Sequence, residues 1–225
     1  MMRAGAEVSV AELAAEVAAR IPDGRRYLLG ITGPPAAGKS TLSVILAAAV
    51  STEQAIPAEI APMDGFHKSS AVLDAVGARH RKGEPDTFDV AGFVERLQLL
   101  RATPLGRRVA WPIYDRQLHD PVPDAIVFVE QRLAVVEGNY LLLEQPGWSL
   151  ARGELDEVWY LDADESVVLE RLTERHLRGG KAPDQARAKI TDSDLPNART
   201  IARTRDRADV VLQEIDGRYL IHSAR

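Results

Sequence analysis

Gly33-Pro34-Pro35-Ala36-Ala37-Gly38-Lys39-Ser40 satisfies the spacing G-x-x-x-x-G-K-[ST], a pattern whose chemistry is phosphate binding. Its glycines let the backbone wrap closely, so that main-chain N–H groups and the start of a following helix face phosphate oxygens. Lys39 then reaches the outer phosphates, Ser40 offers a hydroxyl to Mg2+, and Thr41 can donate to the next phosphate. The short apolar run over residues 27–32 reads as a strand and residues 39–50 as a helix, which is the context this mechanism demands. Residues 33–41 are therefore expected to hold ATP together with Mg2+.

A guanine-reading N-K-x-D is missing, because Asn139 is followed by Tyr140 and Asn197 by Ala198. The L-S-G-G-Q signature of transporter ATPases is missing as well. A chain of 225 residues suits a small-molecule kinase, in which the loop holds the donor and a separate pocket holds the acceptor. An acceptor phosphate is already an anion, whereas a hydroxyl must lose a proton as it attacks, so an alcohol kinase needs a carboxylate. Asp64 is the candidate base. It follows the apolar stretch 58–62, and in a parallel sheet that carboxyl end opens onto the same crevice as the phosphate loop. As the middle of Met63-Asp64-Gly65 it can equally be a turn former.

Four segments in order, Gly33 to Thr41, Met63-Asp64-Gly65-Phe66-His67, Pro112-Ile113-Tyr114-Asp115 and Val135-Val136-Glu137-Gly138, resemble the uridine kinase, phosphoribulokinase and bacterial pantothenate kinase superfamily. The resemblance spans residues 27–212 and points to the branch described as nucleoside or fructose-transport-associated kinases. It implies that Asp64 is the acceptor-side base and that Glu137 helps hold Mg2+ and its water. Glu137 ends an apolar run and would point into the crevice beside Ser40; the alternative is a strand-end acid that meets only solvent. The resemblance also implies that Phe66, His67, Arg81, Tyr114, Asp115 and Arg116 lie in substrate-facing segments. His67 can bond an acceptor hydroxyl or be a surface residue, and the run His80-Arg81-Lys82 can grip an anion or be a solvated loop. His119 and His176 carry no argument. The chain lacks the additions of a type I pantothenate kinase and a clear uridine-reading signature, so the acceptor stays open.

Past residue 165 a helical pattern presents Arg171, Arg175 and Arg178 and enters Gly179-Gly180-Lys181, a basic segment with a glycine hinge. Such a segment makes a closing lid, here residues 171–195, whose cations neutralise charge on a transferring phosphoryl group while water is excluded. Arg175 and Arg178 are assigned that task; Arg171 pairs as readily with acids on the helix surface. Asp192-Ser193-Asp194-Leu195-Pro196-Asn197 reads as the entry to a further helix, with Ser193 or Asp194 as cap and Pro196 in the first turn.

The elements that position these groups follow from spacing. Ser9 and Glu12 form a capping box for a first helix that Pro22 and Gly24 end. A long irregular segment, 63–87, precedes an amphipathic helix over 90–101. Apolar runs at 109–113, 126–129, 133–136 and 158–161 are assigned to one sheet. A helix over 165–178 starts behind Asp162 and Asp164, two helical stretches follow, and a strand over 210–212 closes the fold. The expectation is an α/β chain of the P-loop NTPase fold, with a mostly parallel sheet, helices on both faces and a helical lid. Residues 1–225 are read as one kinase domain, with 63–125 as the acceptor-binding elaboration.

Lys+Arg 28 against Asp+Glu 33 gives 28 − 33 = −5, which argues against nucleic acid or an anionic membrane as the main partner. No cysteine means no disulfide framework and no thiolate metal site, which fits a reducing, cytoplasmic setting. Glu7, Glu12 and Glu16 break any signal-peptide core, and the apolar runs fall short of the roughly 20 residues that span a bilayer. The expected partner is a small molecule bearing a hydroxyl, and the chain is expected to be a monomer or a homodimer. A nucleotide-dependent regulator and a nucleoside-monophosphate kinase are the rival readings.

Overall fold

Residues that alternate sides of a strand must meet helices on both faces if a parallel sheet is to be buried. The computed structural model, which describes residues 2–224, shows this alternation. The chain runs through β1 (Glu7–Val8), α1 (Val10–Ala18), β2 (Tyr27–Thr32), α2 (Lys39–Glu53), β3 (Ala58–Pro62), α3 (Ser70–Ala75) and α4 (Val90–Ala102). It continues through β4 (Val109–Asp115), β5 (Asp120–Phe128), β6 (Leu133–Glu137), α5 (Trp148–Glu154), β7 (Glu157–Asp162), α6 (Glu165–Arg178), α7 (Pro183–Lys189), α8 (Leu195–Ala202), β8 (Val210–Ile215) and β9 (Arg218–Ala224). Leu29, Ile31, Leu133 and Val135 pack with Leu13 and Val17 of α1 and Leu42 and Leu46 of α2. Leu28, Ala134 and Val136 face the other way, onto Phe93 and Leu97 of α4 and Trp148 of α5.

The main sheet has the order β1-β9-β8-β7-β2-β6-β3. Strands β8, β7, β2, β6 and β3 are parallel, and β9 and β1 extend one edge antiparallel. This is the expected α/β architecture. The capping box is present too: Glu12 N–H donates to Ser9 Oγ at 3.2 Å, and Ser9 N–H to the Glu12 carboxylate at 2.7 Å.

Four expectations need correction. First, the runs at 109–113 and 126–129 do not join the main sheet; β4 and β5 pair with each other as a separate antiparallel hairpin. The four-residue connection 116–119 favours local pairing, and both sides of β6 are already taken by β2 and β3. Second, the last strand runs on to Ile215 and turns back into β9. Asp216 and Gly217 both take positive φ, 50° and 78°, as a two-residue hairpin turn requires. Third, Asp164 occupies the cap position of α6 without a side-chain bond, and Asp162 accepts instead from Arg205 Nε at 2.7 Å. Fourth, residues 183–202 form one continuous helical run, and neither Ser193 nor Asp194 caps a new helix. The segment 63–87 is also less irregular than expected, holding α3 and short 3-10 turns at Met63–Phe66, Arg79–Arg81 and Pro85–Thr87. Among the described residues no helix is long and apolar enough to cross a membrane.

Candidate functional site

Strand β6 lies between β2 and β3, and its register puts Ile31, Glu137 and Pro62 in one row. Two residues beyond that row come Gly33, where the phosphate loop begins, and Asp64. Three distant stretches of sequence therefore deliver their polar groups to one end of the sheet, the carboxyl end, where open α/β sheets bind ligands.

The loop backbone is tight. Gly33 takes φ 145°, and a Cβ there would meet the Leu161 carbonyl oxygen at 2.2 Å, so only glycine fits between β2 and β7. Ala36 sits at φ 63°, a left-handed conformation that costs an L-residue about 1–2 kcal/mol. Lys39 is buried and its Nζ donates to Pro34 O at 2.9 Å, bracing the loop across its width. Burial pushes the Lys39 ammonium down from its ordinary value, while the Glu137 and Asp64 carboxylates pull it back up. Ser40 Oγ donates to Glu137 Oε2 at 3.3 Å. Burial raises the Glu137 carboxyl above the usual range and Lys39 opposes the shift. Among the described residues no group of three His, Cys, Asp or Glu could hold a metal alone. A hydroxyl and a carboxylate this close are hard oxygen donors that fit Mg2+, an ion that usually keeps waters and phosphate oxygens as its other ligands.

Asp64 stands on a 3-10 turn fixed from both sides. Trp111 Nε1 of the hairpin donates to Pro62 O at 3.0 Å. A Cβ on Gly65 would lie 2.2 Å from Pro112 O, so glycine there lets β4 press directly onto the turn. The ring nitrogen Nδ1 of His67 lies 2.7 Å from the Asp64 carbonyl oxygen, so Nδ1 carries the proton and donates. His67 is packed between Phe88 and Tyr114, with ring centroids at 4.0 and 4.7 Å. Burial pushes its imidazole below the usual value, against the opposing charge of Asp64. Arg116 Nη2 approaches Asp64 Oδ2 at 3.9 Å from a side chain that is 74% exposed.

A cavity of about 1500 Å³ joins these groups. Pro35, Ala36, Ala37, Gly38, Lys39, Ser40 and Thr41 line it, with Asp64, His67, Tyr114, Arg116, Glu137, Arg175 and Arg178. Three expected acceptor-side residues lie outside it. Phe66 is buried against Phe93 and Trp111, at 5.2 Å from each ring, because an apolar ring beside the hairpin gains most in the core. Arg81 is captured by Glu84 and Asp86. Asp115 accepts from Gln117 and Leu118 N–H at 2.7 and 2.9 Å, bonds that close the β4–β5 turn and hold its carboxyl below the usual range. Gly33 and Pro34 shape the loop from behind the cavity wall.

The arginines divide differently from expectation. Arg178 pairs with Glu174, both exposed along the cavity. Arg175 is exposed, and close enough to Lys39 for its charge to act on it. Arg171 is the arginine that reaches the loop, with Nη1 3.4 Å from Ala37 O and Nη2 3.3 Å from Glu214 Oε2. His176, passed over in the sequence, is buried and bonds Asp194 at 2.6 Å. Its position, four residues after Leu172 and eight after Val168 on the buried face of α6, was the available signal.

The model of the phosphoribulokinase/uridine kinase family matches residues 28–220. The chain belongs to this family. It is 36% identical over 197 residues to YggC of Escherichia coli K12, an uncharacterised protein, covering 87% of this chain and 81% of that one. Among solved structures, a proposed fructose transport system kinase from Silicibacter sp. TM1040 superposes with a TM-score of 0.83 and 38% identity, over 91% of this chain and 98% of that one. YFH7 of Saccharomyces cerevisiae shares the fold, with a TM-score of 0.75 at 22% identity over 92% and 99% of the two chains. Family membership agrees with the motif order read from the sequence, including its fructose-transport branch.

Proposed function

We propose that this family member is an ATP-dependent phosphotransferase that moves the γ-phosphoryl group to a hydroxyl of a small metabolite, a nucleoside, sugar or related alcohol. The observation that carries the reading is the shared cavity: the Asp64 carboxylate, on the turn that follows β3, opens onto the same space as Lys39, Ser40 and Glu137. In the sheet, β7 and β8 lie on one side of β2 while β6 and β3 lie on the other. The nucleoside end of ATP therefore extends toward Ile45, Arg171 and the 214–217 turn, and the acceptor approaches from the side of Asp64.

Asp64 takes the proton of the attacking hydroxyl. The new bond joins that oxygen to the γ-phosphorus, the bond to the bridging oxygen breaks, and ADP leaves with the electron pair. Loop N–H groups and Lys39 hold the phosphate oxygens, and Arg175 adds a cation from α6. Ser40 and Glu137 would hold Mg2+, which supplies charge neutralisation at the phosphates. The hairpin and His67 keep Asp64 in place, so little reorganisation precedes transfer.

The test is ADP release with Mg·ATP against nucleosides, hexoses, pentose phosphates, pantothenate and nucleoside monophosphates, with Asp64→Asn beside the wild type. A hydroxyl acceptor should stimulate the wild type, and Asp64→Asn should retain ATP binding and lose about 100-fold or more in turnover. Near-wild-type turnover by the variant would remove the base assignment. Stimulation only by monophosphates would identify a nucleoside-monophosphate kinase, and nucleotide binding without any acceptor a regulator.

A further inference from the structure

Beyond Arg178 the chain returns over the cavity through α7 and α8, joined by the π-turn Ile190–Asp194. Leu195 N–H donates to Ile190 O, five residues back. The wide turn has a local cause: Pro196 has no N–H, and its ring would collide with the carbonyl of Asp192 in a regular helix. The extra residue shifts which side chains face inward, and Ser193 and Asp194 line the cavity. Lys189 donates to Ser193 Oγ at 3.0 Å, so these two satisfy each other.

Asp194 is satisfied only in part. Its Oδ2 lies 2.6 Å from His176 Nε2, with side-chain exposures of 13% and 10%. Its Oδ1 accepts no hydrogen bond among the described residues and is not among the buried unpartnered atoms, so it is an acceptor open to the cavity. The charges of Asp64 and Asp194 both act on the Tyr140 hydroxyl, which burial pushes up and which donates to Gly83 O at 2.7 Å. Asp194 lines the same cavity as Asp64, His67 and Tyr114. A carboxylate repels phosphate, and Arg175, Lys181 and Lys189 on the same wall disfavour a cationic ligand. What remains for Oδ1 is a neutral donor, a hydroxyl.

We propose that Asp194, positioned by His176, is an acceptor-binding residue whose Oδ1 receives a hydrogen bond from a second, non-reacting hydroxyl, so that the site selects polyhydroxyl acceptors over mono-alcohols. This rests on the kinase reading above. Asp64 on the turn after β3 and Asp194 on the helical cover then fix the acceptor at two points. His176 acts through Asp194 as a positioning residue.

The experiment compares ADP release from Mg·ATP with glycerol, erythritol, D-ribose, D-fructose and uridine against 1-propanol and cyclohexanol. The wild type should use at least one polyhydroxyl probe with kcat/KM roughly 100-fold or more above either mono-alcohol. Asp194→Asn should raise KM for that probe about tenfold or more and leave KM for ATP within about twofold. His176→Leu should move KM the same way, and His176→Gln, which keeps an N–H donor, should recover part of the loss. A mono-alcohol used as well as the polyols, or an unchanged KM in Asp194→Asn, overturns the proposal and leaves the kinase reading standing. Silence of the wild type with both sets overturns the polyol proposal, and silence extending to the wider panel above overturns the kinase reading as well. If Asp194→Asn melts well below the wild type, the wild-type preference between the two sets decides the matter.

Discussion

Ser40 Oγ and Glu137 Oε2 lie 3.3 Å apart across 97 residues of sequence. One parallel pairing brings them together, since β6 carries Glu137 to the end of β2, from which the loop to Ser40 departs. The pair is an oxygen clamp at the mouth of a buried lysine site. Glu137→Gln keeps the shape and removes the charge, so the Mg2+ concentration for half-maximal ADP release should rise about 10- to 100-fold. An unchanged Mg2+ midpoint would mean that Glu137 meets the metal in neither state. Because burial raises the Glu137 carboxyl, protons compete with the metal earlier than at an exposed glutamate. Mg2+ affinity of the wild type should fall as pH drops toward that raised value, and the fall should be absent in Glu137→Gln.

Lys39 bonds the Pro34 carbonyl inside its own loop, a bracing contact beside the phosphate-binding duty proposed for it. Lys39→Ala should abolish measurable turnover, a loss of at least about 10²–10³ in kcat. Lys39→Met retains most of the buried stem and should melt close to the wild type while being equally inactive. Activity in Lys39→Met would show that the charge is dispensable.

Much of this site was legible because it depends on order along the chain. A strand, a glycine loop and a helix fix Lys39 and Ser40 locally, and the apolar runs ending in Asp64 and Glu137 bring both acids to one sheet edge if the strands are parallel. The misplaced elements failed for physical reasons. Residues 109–113 and 126–129 are as apolar as main-sheet strands, and a short connection, visible only as spacing, is what pairs them with each other. Strand β9 was announced by Asp216-Gly217, a hairpin signal that the closing run at 210–212 overshadowed. Phe66, Arg81 and Asp115 have types suited to a pocket, yet each is claimed by a neighbour, the aromatic core, Glu84 with Asp86, and the turn at 117–118. The Asp194–His176 pair joins α6 to a turn widened locally by Pro196, a contact between elements that periodicity does not encode.

The segment that follows Asp64 is tied to the hairpin tip by Lys82, whose Nζ donates to Ser70 Oγ, to the His119 carbonyl and to Asp120 Oδ1 at 3.1, 2.5 and 2.9 Å. Lys82 first, and then the Ser70 N–H, hold the Asp120 carboxyl down at about 2, against an ordinary value of 3.8. A lowered carboxyl stabilises the folded form at pH values above the ordinary one and loses that contribution as pH falls from 3.8 to about 2. Asp120→Asn should therefore melt below the wild type by a constant margin from neutral pH down to about 5, and the margin should close below about 4. A margin that stays constant to pH 3 would show that the bond to Lys82 does not depend on the charge of Asp120.

The three arginines of α6 face different partners and should respond differently to alanine. Arg178 is spent on Glu174 at an exposed site, an interaction of about 0–1 kcal/mol, so Arg178→Ala should change kcat and KM by no more than about twofold. Arg171 touches the loop carbonyls and Glu214 on the side away from Asp64, so Arg171→Ala should raise KM for ATP with a smaller effect on the acceptor. Arg175 is unpaired among the described residues and acts on Lys39, so its loss should appear in kcat, by about 10- to 100-fold, because charge that develops in transfer is what a free cation there can stabilise. Steady-state kinetics of the three variants under one set of conditions separates these outcomes. A larger kcat loss in Arg178→Ala than in Arg175→Ala would show that Arg178 leaves Glu174 for the phosphates on closing, since both already line the cavity.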